Sequence, residues 1–141
     1  MDWNKDKAIA RLRSEGAWRL KSTGNCAKFT REAIEAGFDG HVAMLRPPSR
    51  DGKTMAKDYG PGLEKLGFQE QFMCGGFEAG DVAIIDGYEG DDAGHMAMYD
   101  GQQWISDFAQ NNYIGREGGL YPGPGYAKHR PPFRVYRYKG K

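Results

Sequence analysis

The apolar residues of this chain change period part-way along, and that change limits the possible folds more than any other feature. Before Gly67 they recur at helical spacing; beyond it they alternate or run continuously. Ala8, Ile9 and Leu12 share one face of the charged stretch 4–14, which reads as an amphipathic surface helix ended by Gly16. A small polar turn from Ser22 to Asn25 then leads into Cys26, Phe29, Ala33 and Ile34 at helical spacing, with Gly37 as a stop, so Cys26 begins a helix. The polar stretch 41–53 reads as loop. A broken helical segment follows, in which Pro61 suits a first turn, Gly67 follows a last one, and Leu63 and Leu66 face the core. Residues 68–72, 81–86, 95–99, 103–107 and 133–138 read as strands. The resulting class is α+β, with N-terminal helices packed on an antiparallel sheet.

Asp100-Gly101 between two strand-like runs signals a hairpin, because glycine accepts the positive φ of tight turns. His95 and Asp107 then fall on paired strands. Residues 108–132 carry so much Gly and Pro that they read as a long surface loop. Residues 133–138 read as a final strand with one solvated basic face.

At 141 residues the chain suits one domain spanning 1–141, and 21 glycines point to many turns. A formal net charge of +1 gives no overall attraction to nucleic acid or to an anionic membrane. The basic and aromatic C-terminal end is the one segment that could grip a polyanion; the solvated strand face is the simpler reading. No apolar stretch approaches the roughly 18 residues of a membrane helix, so no membrane insertion is expected. MDWNKDKAIARLRSEG lacks the apolar core of a signal peptide, which predicts synthesis in the cytoplasm without Sec export. With two cysteines and no secretory signal, a disulfide framework is a poor reading.

A cysteine in the first turn of a helix has a chemical use. Free N–H groups and the positive helix end favour thiolate, and the same groups can hold an oxyanion. The polar neighbours Thr23, Gly24 and Asn25 make Cys26 a poor core residue and a good candidate nucleophile. His95, opening a strand behind Gly94, is the candidate base that takes the thiol proton and returns it to a leaving amine. A third group should orient the imidazole. A three-residue loop at 100–102 places Asp107 opposite His95, a two-residue turn places Ser106 there, and Gln110 is a further alternative. Asn25 either donates its amide to the oxyanion or caps the helix. Cys74 reads as structural, His41 and His129 as solvated, and Trp104 and Tyr99 as packing or cleft wall. No CxxC, HxxxH, GxGxxG or phosphate loop is present, so neither metal nor any other cofactor is expected.

STGNCAKFTREAIEAGF, GFEAGDVAIID and GHMAMYDGQQWISDF together resemble the CHAP and NlpC/P60 group of papain-like cysteine peptidases and amidases, over roughly residues 22 to 107. The resemblance implies a papain-like core, Cys26 as nucleophile, His95 as base, a turn at Gly80-Asp81, and a variable polar third residue that Asp107 fits. It further implies hydrolysis of stem-peptide or cross-bridge amides of peptidoglycan, as in phage lysis enzymes and type VI amidase effectors. An effector would act on the periplasmic wall after delivery by its secretion apparatus and could have an immunity protein as partner. Rival readings are a cysteine acyltransferase or deamidase acting on proteins, and a non-catalytic wall-binding or nucleic-acid-binding module.

Overall fold

A computed structural model describes residues 2–19, 23–49, 54–72, 76–110 and 119–140. Helix α1 (Lys5–Gly16) starts where Asn4 accepts from the Lys7 amide at 3.1 Å. Helix α2 (Cys26–Ala36) ends at Gly37, and the short α3 (Gly60–Lys65) has Pro61 in its first turn, following a 3₁₀ turn at Ala56–Asp58. Strands β1 (Phe68–Gln71), β2 (Val82–Ile85), β3 (His95–Tyr99), β4 (Trp104–Ile105) and β5 (Phe133–Tyr138) form one antiparallel sheet in the order β1-β5-β2-β3-β4. Helical period before Gly67 and strands after it are thus both present, and the architecture is α+β. No helix among the described residues is long and apolar enough to cross a membrane.

The sheet carries two apolar layers. Val82, Ile84, Met96 and Met98 face α1 and α2 through Leu12 and Ile34. Ala83, Ile85 and Ala97 face the other way, against Trp104, Leu120 and Tyr126. Strand β2 is therefore buried along its whole length, which is why its sequence is a continuous apolar run instead of an alternation. Burial of each large aliphatic side chain here contributes about 1.5–3 kcal/mol, so the central strands form a rigid base for His95.

Three expectations need correction. Strand β4 stops at Ile105: the hairpin register pairs Tyr99 with Trp104, and the chain then folds back so that the Gln110 amide reaches the Trp104 carbonyl at 3.0 Å. The four residues 100–103 close the hairpin, with the Asp100 carboxylate accepting from the Gln102 and Gln103 amides at 2.8 Å each. The described part of the expected loop 108–132 is largely packed structure. Leu120, Tyr121 and Tyr126 are buried, and α4 (Pro124–His129) covers one end of the sheet. Gly125 serves close packing, since a Cβ there would collide with the Tyr88 hydroxyl.

The basic strand is the third case. It lies between β1 and β2, with Arg134 and Arg137 on opposite faces, both of them partnered. Arg137 binds buried Asp81 through Nε at 2.8 Å and Nη2 at 2.9 Å and also pairs with Glu78. Arg134 donates to the Tyr136 hydroxyl at 3.1 Å and the Lys57 carbonyl at 3.2 Å. No solvated basic face remains on β5 as a grip for a polyanion.

Candidate active site

Cys26 is the first residue of α2, half-buried, at the point where that helix meets β3. Thr30, one turn later, ties the helix to the strand by donating to the Met96 carbonyl at 3.3 Å. The turn before Cys26 is held from below. Asp107, fully buried, accepts through Oδ2 from the Thr23 amide at 2.7 Å, the Thr23 hydroxyl at 2.9 Å and the Asn25 amide at 3.0 Å. Gly24 between them sits at φ +86°. A single carboxylate oxygen therefore sets the approach of the chain to Cys26.

His95 is buried at the start of β3, in register with Ile85. Gly94 before it has φ +75°, and a Cβ there would collide with the Ile85 carbonyl, so only glycine lets the strand begin this close to β2. His95 Nε2 lies 2.8 Å from Gln110 Oε1. The Gln110 amide nitrogen donates to the carbonyls of Gly119 and Leu120, both at 2.9 Å, which fixes its oxygen as the atom facing His95. An acceptor at Nε2 requires a proton there, and Nδ1 is left as the basic atom that bonds the Cys26 thiol.

Electrostatics favour the charged form of each group. Burial opposes a thiolate at Cys26, but the charge and hydrogen bond of His95 and the Met96 backbone amide outweigh it, and the thiol is held below its ordinary value; Asp107 works against this. Burial likewise opposes an imidazolium at His95, and Cys26, Gln110 and Asp107 together hold it above its ordinary value. A thiolate beside an imidazolium is the reactive state of a nucleophilic cysteine.

The structure brings some of the sequence-derived candidates together and separates others. Cys26 and His95 meet. The acceptor on His95 is Gln110, while Asp107 is engaged with the turn before Cys26, and Ser106 donates to Asp107 Oδ1 at 3.2 Å. The physical reason is the early end of β4, which removes the register that would have placed residue 107 or 106 opposite residue 95. Asn25 occupies the N-cap position without a capping bond; its exposed amide donates to the Thr23 hydroxyl at 3.1 Å. Trp104 and Tyr99 pack around Phe77 at 5.0 and 5.8 Å. His41 and His129 are exposed, and His129 stacks on Tyr88 at 4.5 Å. Ser22 and Cys74 lie outside the described residues. Among the described residues no three His, Cys, Asp or Glu side chains gather as a metal site.

Cys26 and His95 open into a cavity of about 570 Å³. Its walls include Phe108, Tyr88, Asp91 and Tyr126, none of which sequence reasoning assigned to the site. The signal available for Tyr126 is its place in YPGPGY, where glycines and prolines flank an aromatic residue, although that composition is equally that of a loop. A small α+β protein with a cysteine at a helix start paired to a strand histidine is the class that this fold and site define.

No family model matches the sequence, and no curated protein does. Solved structures do. The chain is similar to one in the type VI native effector-immunity complex Tae3-Tai3 from Ralstonia pickettii, with 38% identity, a TM-score of 0.79, and coverage of 97% of this chain and 100% of that one. The selenomethionine form of that complex matches with 38% identity and a TM-score of 0.74, covering 92% and 98%. Ly7917, at 14% identity and a TM-score of 0.54 over 96% of this chain and 62% of its own, shares the fold alone. With such identity over the full matched length, the chain belongs to the Tae3 family of type VI effectors.

Proposed function

We propose that this protein is a peptidoglycan amidase effector that cleaves an amide bond of the wall peptides through a Cys26 thioester. The observation that carries the reading is the Cys26–His95–Gln110 relay at the mouth of a cavity, with Cys26 on a helix start. The Cys26 thiolate attacks the amide carbonyl, and the oxyanion forms beside the Cys26 backbone N–H at the positive helix end. His95 Nδ1–H protonates the leaving amine, and the C–N bond breaks to give an acyl-enzyme. His95 then takes a proton from water, the resulting hydroxide attacks the thioester, and the carboxylic acid leaves as the thiolate returns. Asp107 positions the nucleophile; Gln110 keeps the imidazole in the productive tautomer.

Family membership supports delivery by a type VI apparatus to the periplasmic wall of a competitor, and an immunity protein as partner. Purified sacculi digested with wild type, Cys26→Ala and His95→Ala test the reading, with mass analysis of the released muropeptides. Wild type is expected to release fragments carrying a new amine and a new carboxyl end, and both variants are expected to be folded and inactive. Intact sacculi with wild type, the outcome forecast by a protein deamidase built on the same pair, would refute it, as would turnover by a folded Cys26→Ala protein.

A further inference from the structure

The cavity beside Cys26 contains a poorly satisfied polar group. Tyr126 is 7% exposed, and its buried hydroxyl makes no well-formed hydrogen bond, the Asp91 carboxylate being only a weak partner. An unsatisfied buried hydroxyl costs about 1–3 kcal/mol, and such a cost persists where a ligand supplies the missing bond. The ring is not free to escape it. Tyr126 packs edge-to-face on Tyr88 at 4.9 Å and against the His95 ring at 5.9 Å. Burial first, and the nearby Asp91 carboxylate next, hold the phenol above its ordinary value, so it remains neutral throughout the working pH range.

Asp91 stands on a small loop of its own. Tyr88 and Asp91 exchange both backbone hydrogen bonds at 2.9 Å, and Asp91 Oδ1 accepts from the Ala93 amide at 3.4 Å. Among the described residues lining the cavity there is no Lys or Arg, and Asp91 is the one carboxylate. Its neighbour Asp92 pairs with Lys57 at 2.6 Å, which leaves that lysine engaged elsewhere. The walls around Asp91 are the aromatic rings of Tyr88, Tyr126 and Phe108, whose faces attract cations. A carboxylate, a poorly satisfied hydroxyl and aromatic faces favour a cation, since the positive charge of His95 is offset by Cys26 beside it.

We infer that Asp91 and Tyr126 form a subsite for a primary ammonium group of the substrate, so that the amide cleaved at Cys26 belongs to a peptide carrying a free amine close to the scissile bond. The inference rests on the amidase reading and adds the chemical class of the group recognised. The ammonium donates to the Asp91 carboxylate and to the Tyr126 oxygen, and the bond missing from Tyr126 is supplied by the substrate.

The test compares sacculi as purified with sacculi whose free amines have been exhaustively acetylated by acetic anhydride. Wild type is expected to release muropeptides from the acetylated wall about tenfold more slowly, the loss typical of one charge-assisted hydrogen bond. Asp91→Asn and Tyr126→Phe should each raise KM on the untreated wall and bring the two substrates toward equal rates. Asparagine keeps the acceptor for Ala93, and the tyrosine hydroxyl holds no well-formed bond in the fold, so both proteins should fold; unchanged alkylation of Cys26 checks that the thiolate pair is intact. Equal rates of wild type on the two walls, or discrimination undiminished in Asp91→Asn, would overturn the subsite while leaving the amidase intact. No release from untreated sacculi would overturn the amidase reading and the subsite with it.

Discussion

Replacing Gln110 by leucine separates the two polar groups around the nucleophile pair. Leucine fills nearly the same volume, so the change removes hydrogen bonds without opening a cavity. Three are lost: the one to His95 Nε2 and those to the Gly119 and Leu120 carbonyls, and all the partners are buried. At about 1 kcal/mol each, and somewhat more because the partners stay unsatisfied, the loss is roughly 3 kcal/mol out of the 5–15 kcal/mol typical of a domain. Urea unfolding should show a lower midpoint at unchanged slope. The electrostatic effect has a defined sign. Gln110 is one of the groups that hold His95 above its ordinary value, because its oxygen bonds the imidazolium more strongly than the neutral ring. The difference between a charge-assisted and a neutral hydrogen bond is about 1 kcal/mol, which corresponds to about 0.7 of a pH unit.

The alkaline limb of the kcat/KM profile, where the pair loses the imidazolium proton, should therefore move down by about that amount, while the acid limb stays nearly in place. An NMR titration of the His95 ring reads the same shift without substrate. Removing the Asp107 charge acts differently: that charge disfavours the thiolate and favours the imidazolium, so Asp107→Asn should move both limbs toward acid. If Gln110→Leu leaves the alkaline limb unmoved, Gln110 does not support the imidazolium and the relay is wrong.

Asp107→Ala should destabilise the fold by about 3 kcal/mol, since the Thr23 and Asn25 amides lose their acceptor; urea midpoints check this, with Asp107→Asn retaining most of the stability. Gly94→Ala should cost more than about 2 kcal/mol, because it combines a φ of +75° with a collision at the Ile85 carbonyl. A thermal midpoint within a degree of wild type for Gly94→Ala would show that β3 can start in another conformation.

Elements bounded by local chemistry were legible in the residues themselves. The helix start at Cys26, its stop at Gly37, the strands containing Val82 and His95, and the hairpin glycine at Gly101 each follow from period or from a turn residue, and each is present in the fold. The pairing of Cys26 with His95 was reachable for the same reason, since one sits at a helix start and the other at a strand start.

What the sequence could not decide was anything that depends on where a strand ends or on what covers it. Asp107 and Gln110 are three residues apart, and which of them meets His95 turns on a fold-back after Ile105 that no local pattern marks. The basic residues of β5 suggest a strand with a solvated face, yet the strand is internal and its two arginines fall on opposite faces, because β1 pairs with it across a separation that period cannot reveal. Residues 119–130 carry the composition of a loop and become a cavity wall because the second face of β2 and β3 must be covered. Local structure is a property of neighbouring residues; sheet order, strand ends and the burial of Tyr126 are properties of distant segments that meet only when the chain is folded.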